Sequence, residues 1–176
     1  LLDCFTIWER GRLKPELSIG ICGDVAMSRV ARSNARLLNA FEVVPFFIAP
    51  PELLPHMMQR NGEIVTVPGE LGYTVHVLHN LDEVIESLDV LMMLRLQRER
   101  REEPLPISLS EYIRGYQLEA RRLKKMKETA MIMHPGPVNR GVEAADEVFA
   151  DPRCMISEQV SNGVLLRMSL ISHILR

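Results

Sequence analysis

Met131-Ile132-Met133 is an apolar run without alternation, and it stops abruptly at His134-Pro135-Gly136-Pro137. A strand that is apolar on every residue must be buried on both faces, which is the habit of parallel sheets covered by helices. Leu17 to Cys22, Val43 to Ile48 and Val90 to Leu94 are runs of the same kind, separated by stretches of helical periodicity. Strand, turn and helix in repetition predict an α/β domain: a Rossmann-like open parallel sheet with helices on both faces. In such a sheet ligands bind beyond the C-terminal ends of the strands, so the residues that follow each run are the first place to look for a site.

The loop after Met133 is chemically unusual. Pro135 and Pro137 carry no N–H, so carbonyl oxygens outnumber donors there, and such a loop suits a ligand that donates hydrogen bonds, an amine or an amide. His134 adds a group that donates or accepts. On these four residues alone, a plain turn with a surface histidine is an equal reading.

The other strand ends carry cations. Gly23-Asp24 closes the first strand and a helix is expected from about Ser28 to Phe41, with Val30, Leu37, Leu38 and Phe41 on its apolar side and Arg29, Arg32, Ser33 and Arg36 on the other. Arg29 falls in the first turn, where unpaired N–H groups already favour an anion, and a guanidinium can grip a carboxylate or phosphate with two parallel hydrogen bonds. After Leu94 come Arg95 and Gln97, in register to face one cleft, and Glu99 is placed to pair with Arg95 or Arg100. Both groups of residues also fit a solvated face or loop.

The remaining chain is read as connecting structure. A short amphipathic helix covers about 1–10, with Leu1, Leu2, Phe5 and Trp8 at helical spacing; a short helix covers about 52–60; strand or hairpin follows over 63–77. Asn80-x-x-Glu83 and Ser108-x-x-Glu111 both read as helix starts with reciprocal caps, the first helix ending near Leu88 and the second region near Lys127. The basic residues Arg121, Arg122, Lys124, Lys125 and Lys127 are taken as complement to a helix C-terminus and as solvated charge. Ile156 to Val160 is expected as a short strand before a last helix over about 163–175, whose apolar stripe wants a partner.

A length of 176 residues suits one domain with a real core, and the net charge of −2 argues against nucleic acid as a partner. Cys4, Cys22 and Cys154 form neither a pair nor a ligand cluster, so neither disulfide nor metal is expected, and a reducing cytoplasm fits. No apolar run approaches the ~18 residues that span a bilayer, so no membrane partner is expected. The start, LLDCFTIWER, reads as the middle of a longer protein rather than as a leader.

GDVAMSRVARSN, MMLRLQRER and MHPGPVNRGVE, with LLDCFTI before them and QVSNGVLLRM after, together resemble the second half of the aspartate carbamoyltransferases over essentially the whole chain. The resemblance implies one half of a two-domain fold, with residues 1–176 as the aspartate-binding domain and the first and last helices packing on a carbamoyl-phosphate domain not present in this sequence. It implies transfer of the carbamoyl group of carbamoyl phosphate to the amine of L-aspartate, in pyrimidine synthesis, without cofactor or metal. Arg29 would grip an aspartate carboxylate; Arg95 would bind the side-chain carboxylate with Gln97 beside it; Glu99 and Ser33 would support them. The carbonyls of Pro135 and Gly136 would hold the carbamoyl NH2 and the substrate amine, His134 and Pro137 completing that loop, with Gly136–Pro137 as a cis bond. Met27 departs from the family pattern, where a histidine is common. The resemblance further implies a homotrimeric core, and admits regulatory or dihydroorotase chains as further partners. A carbamoyltransferase acting on ornithine, and a non-catalytic binding subunit, are the alternatives; HPGP and RLQRER favour aspartate, because a cationic acceptor is repelled by Arg29 and Arg95.

Overall fold

The computed structural model describes residues 1–70, 72–97, 104 and 107–175. The apolar runs form the strands of one six-stranded sheet: β1 (Ile19–Cys22), β2 (Phe46–Ile48), β3 (Ile64–Val67), β4 (Tyr73–Leu78), β5 (Val90–Met93) and β6 (Met131–Met133), in the spatial order β3-β4-β2-β1-β5-β6. All neighbouring pairs are parallel except β3 with β4, where the expected hairpin adds an antiparallel edge. Every residue of β1, β5 and β6 is buried, whereas β4, between β2 and the antiparallel edge strand β3, alternates buried and half-buried.

The chain leaves β1 towards β2 on one side and later returns to β5 on the other, so the strand order reverses between β1 and β5. A crevice opens at that switch point, beyond the strand C-termini. Gly23 fits the close approach there: it has φ +133°, and a Cβ on it would lie 2.7 Å from the Leu94 carbonyl oxygen.

Among the described residues five α-helices flank the sheet: α1 (Leu2–Glu9), α2 (Arg29–Ala40), α3 (Leu109–Tyr116), α4 (Ala120–Lys125) and α5 (Ile156–Ile174). The Ser108–Glu111 capping box at the start of α3 is formed, with both reciprocal bonds made. Several expectations are corrected. Residues 156–160 are helix, not strand, because α5 runs unbroken through Gly163, where the missing side chain lets Leu2 of α1 approach. The helix expected over 52–60 is two single 3-10 turns, Pro51–Leu53 and His56–Met58, separated by Pro55. The helix expected over 80–88 is one 3-10 turn, Leu81–Glu83; Asn80 caps it by accepting from the Asp82 N–H at 3.0 Å, and so short a segment has too few bonds to propagate as α-helix.

The buried face of α2 is Ala31, Asn34, Ala35 and Leu38, not the stripe expected; Val30 and Leu37 are half-buried and Phe41 is exposed. Small residues bring this helix close to the sheet. The basic cluster is also corrected. Arg122 is 2 % exposed; its Nη2 donates to Asp82 Oδ2 at 2.7 Å, and its guanidinium also serves the carbonyls of Gln117, Gly115 and Arg114. Lys127 pairs with Asp89 at 2.8 Å.

Helices α1 and α5 lie side by side and are inside-out. Their buried residues include Asp3, Thr6, Gln159 and Asn162, which hydrogen-bond across the pair or to its neighbours. Their large apolar residues face outward: Trp8 is 61 % exposed, and Val164, Leu165, Met168 and Ile171 are exposed with it. Cys4, Phe5, Trp8, Leu37, Phe41 and Leu166 line an open apolar hollow of about 410 Å³ beside them. No helix among the described residues is long and apolar enough to cross a membrane.

Candidate functional site

Three loops meet at the C-terminal edge of the sheet: 23–28 after β1, 94–97 after β5 and 134–139 after β6. The first leads into α2, whose N-cap Ser28 accepts from the Ala31 N–H at 3.1 Å. That cap fixes the first turn, and Arg29, exposed, stands at it. Arg32 bends back to donate to the Ala26 carbonyl at 3.2 Å and stiffens the same loop. Ser33, one turn further along α2, is exposed.

The second loop is held on both sides by buried carboxylates. Gln97 N–H donates to Asp24 Oδ2 at 3.3 Å, and Leu96 N–H donates to Glu143 Oε1 at 2.7 Å. The Gln97 side chain crosses to the first loop, its Nε2 donating to the Met27 carbonyl at 3.0 Å. Gln97 therefore ties two loops together, a role that its spacing in the sequence does not disclose. Glu143 also accepts from the Asn139 backbone N–H at 2.7 Å and from Asn139 Nδ2 at 2.8 Å, so it binds the second loop to the third. Burial pushes the Glu143 carboxyl up, while these hydrogen bonds hold it down. Arg95 directly precedes these two anchored amides and is half-buried.

The third loop carries the proline-rich motif. Gly136–Pro137 is cis, and Gly136 has φ +68°. His134 is not a surface residue; it is 2 % exposed. Its backbone N–H donates to Gln159 Oε1 at 2.8 Å, and its Nδ1 accepts from the Gly136 N–H at 2.9 Å. An imidazole that accepts at Nδ1 carries its proton at Nε2 when neutral. Burial first, and the nearby charge of Arg95 second, push the His134 ring down to about 4, so it is neutral at ordinary pH. Tyr112 of α3 is buried behind the loops, and burial, with Cys22, Glu143 and Asp24 nearby, raises its hydroxyl well above the usual range.

The structure thus brings Arg29, Arg95, Gln97 and the 134–137 loop to one edge. Glu99 lies outside the described residues. Asp24, Asn139, Glu143 and Gln159 are the residues that sequence reasoning passed over. Asn139 and Glu143 carry a faint signal, a polar pair four apart directly after the proline loop. Gln159 carried none, being assigned to a strand.

At its switch point this α/β domain presents two guanidinium groups, a neutral histidine and a carbonyl-rich loop on one edge. The chain belongs to the aspartate/ornithine carbamoyltransferase family: residues 15–174 match the family's Asp/Orn binding domain. It is 43 % identical over 175 residues to the aspartate carbamoyltransferase catalytic subunit of Mesorhizobium japonicum, covering 99 % of this chain and 50 % of that protein. It is 45 % identical over 178 residues to the catalytic subunit of Granulibacter bethesdensis, covering 100 % of this chain and 52 % of that one. The chain therefore spans about half the length of the curated relatives it matches. Among solved structures it is similar to aspartate transcarbamoylase from Trypanosoma cruzi in complex with carbamoyl phosphate and aspartate, with TM-score 0.77, 28 % identity and coverage of 97 % of this chain and 54 % of that one. The catalytic subunit of the M. jannaschii enzyme matches with TM-score 0.75 and 25 % identity, over 97 % of this chain and 54 % of that one.

Proposed function

We propose that this chain is the acceptor half of an aspartate carbamoyltransferase, which moves the carbamoyl group of carbamoyl phosphate to the amine of L-aspartate. The observation that carries the reading is the convergence of the three loops on one sheet edge, with Arg29 and Arg95 on two of them and the carbonyl-rich turn on the third. The names of the relatives favour aspartate over ornithine as acceptor.

Aspartate offers two carboxylates and one amine. Arg29 takes one carboxylate and Arg95 the other, each able to bond bidentately. The Nε2 of Gln97 spends one of its two N–H groups on the Met27 carbonyl, which leaves the amide one N–H and its Oε1 for the ligand. The carbonyls of Pro135 and Gly136 accept from the attacking amine and from the carbamoyl NH2. The neutral amine attacks the carbamoyl carbon, a C–N bond forms, the C–O bond to phosphate breaks, and the departing phosphate takes up the proton that the amine gives up. The neutral His134 cannot take that proton at Nδ1, which already accepts from Gly136; its contribution is to shape the loop. Rate comes from orienting the amine against the carbonyl carbon and from stabilising the tetrahedral intermediate.

The outward apolar faces of α1 and α5 seat the carbamoyl-phosphate domain, and the longer protein works in the cytoplasm as a trimer in pyrimidine synthesis. Such an assembly admits regulatory or dihydroorotase chains as further partners. The test is product formation from carbamoyl phosphate by the longer chain, with aspartate and ornithine supplied in parallel. Turnover with aspartate alone is expected. Turnover with ornithine, or with neither acceptor, overturns the reading.

A further inference from the structure

A buried polar chain runs from the proline loop into the two inside-out helices. The His134 N–H donates to Gln159 Oε1 at 2.8 Å, and Gln159 Nε2 donates to Asp3 Oδ1 at 2.9 Å. The second oxygen of Asp3 accepts from Asn34 Nδ2 of α2 at 2.7 Å. Asp3, Asn34 and Gln159 are all buried, so water does not compete for these bonds. The chain has a direction. A carboxylate only accepts, and an amide has one accepting and one donating end. Asp3 therefore turns the Gln159 amide so that its oxygen meets His134. His134 in turn accepts from Gly136, so the orientation of the Pro135 and Gly136 carbonyls is registered against α1 and α5.

We infer that Gln159 and Asp3 are positioning residues for the amine-orienting loop, acting through the His134 amide and not on the substrate. This rests on the proposed reaction. If the loop holds the attacking amine, a small displacement of its carbonyls is felt in turnover, since a misplacement of about 1 Å is enough to cost a large factor in rate. Acceptor binding through Arg29 and Arg95 depends on other anchors, Ser28 and the Asp24 and Glu143 carboxylates, and is spared.

The test uses the longer chain and a polarity swap. In Gln159→Glu a second carboxylate faces Asp3 and the chain breaks. In Gln159→Glu with Asp3→Asn every bond is remade and only the one between positions 159 and 3 runs the other way: the carboxylate now on α5 accepts from His134 and from the amide now on α1, whose oxygen accepts from Asn34. Gln159→Met removes both bonds without burying a charge, and serves if Gln159→Glu fails to fold. At saturating carbamoyl phosphate, we expect kcat to fall about tenfold or more in Gln159→Glu and Gln159→Met, with the aspartate KM held within about threefold. The swap should recover kcat to within about threefold. The His134 amide should exchange faster with deuterium in both single variants and recover its protection in the swap. Unchanged kcat in a folded Gln159→Met variant, or a swap that restores thermal stability but not kcat, overturns the inference. If the wild-type chain itself forms no carbamoyl-aspartate, the reaction assignment has failed, and the exchange measurement alone judges the relay: unaltered protection of His134 in Gln159→Met rejects it.

Discussion

Arg95 and His134 share one environment and answer to different tests. In the longer chain, Arg95→Ala should lower kcat/KM for aspartate by about 2–4 kcal/mol of transition-state binding, because a partly buried carboxylate is left without its cation. Unchanged kcat/KM would remove Arg95 from the acceptor site. His134 is read in stability against pH. Its ring is pushed down from its ordinary value to about 4 in the fold. Between those two values the unfolded chain binds a proton that the folded chain refuses, so this contribution is fully present above about pH 6.5 and declines as pH falls towards 4. The decline amounts to about 3 kcal/mol, and His134→Asn should flatten it; urea unfolding of both proteins across that range measures the difference. Arg95 and the proline loop were legible in the sequence because each directly follows an apolar run, and Arg29 because it opens the helix after the first run. The fixed proton on His134 was not, since it depends on Gly136 folding back onto the ring. Nor was the relay, because Asp3 and Gln159 are 156 residues apart.

Among the elements, α4 shows most plainly what composition conceals. Five basic residues within seven positions read as solvated charge, yet Arg122 is buried and fully hydrogen-bonded. Hydrogen bonding to Arg122, ahead of the other nearby cations, holds Asp82 below the usual carboxylate range. Arg122→Leu leaves the carbonyls of Gln117, Gly115 and Arg114 unpaired and Asp82 only the outer cations Arg121 and Lys125, so it should cost about 2–4 kcal/mol in denaturant unfolding. A loss below about 1 kcal/mol would mean that the pair is structural ornament. Asp82 contributes its share above the ordinary carboxylate pKa and loses it as pH falls through the lowered one. The strands β1, β5 and β6 were legible because burial on both faces leaves no polar residue to confuse the pattern. The segments at 80–88 and 156–160 were misread for opposite reasons. The first has a good cap but no length behind it. The second has β-branched residues whose polar neighbours, Gln159 and Asn162, are wanted by α1, a partner that local spacing does not reveal.

For the whole molecule, the balance of inside and outside is wrong for a body that works alone. The cation-bearing edge supplies acceptor recognition, and under the proposed function the carbamoyl donor is held by a domain that these residues do not contain. The isolated 176 residues should therefore form no carbamoyl-aspartate at any aspartate concentration. Detectable product from the purified fragment would show that this edge carries more of the chemistry than its residues explain.

The lateral pairing of α1 and α5 has a mechanical corollary. Arg10 and Glu158 join them near one end, and Thr6 and Asn162 are bonded further along. A load carried on one strut alone can swivel freely, whereas a load carried on two struts braced together has a single axis left. Anything seated on both helices is then held against swivelling, with its orientation to the cation-bearing edge set by the brace and not by the length of a tether.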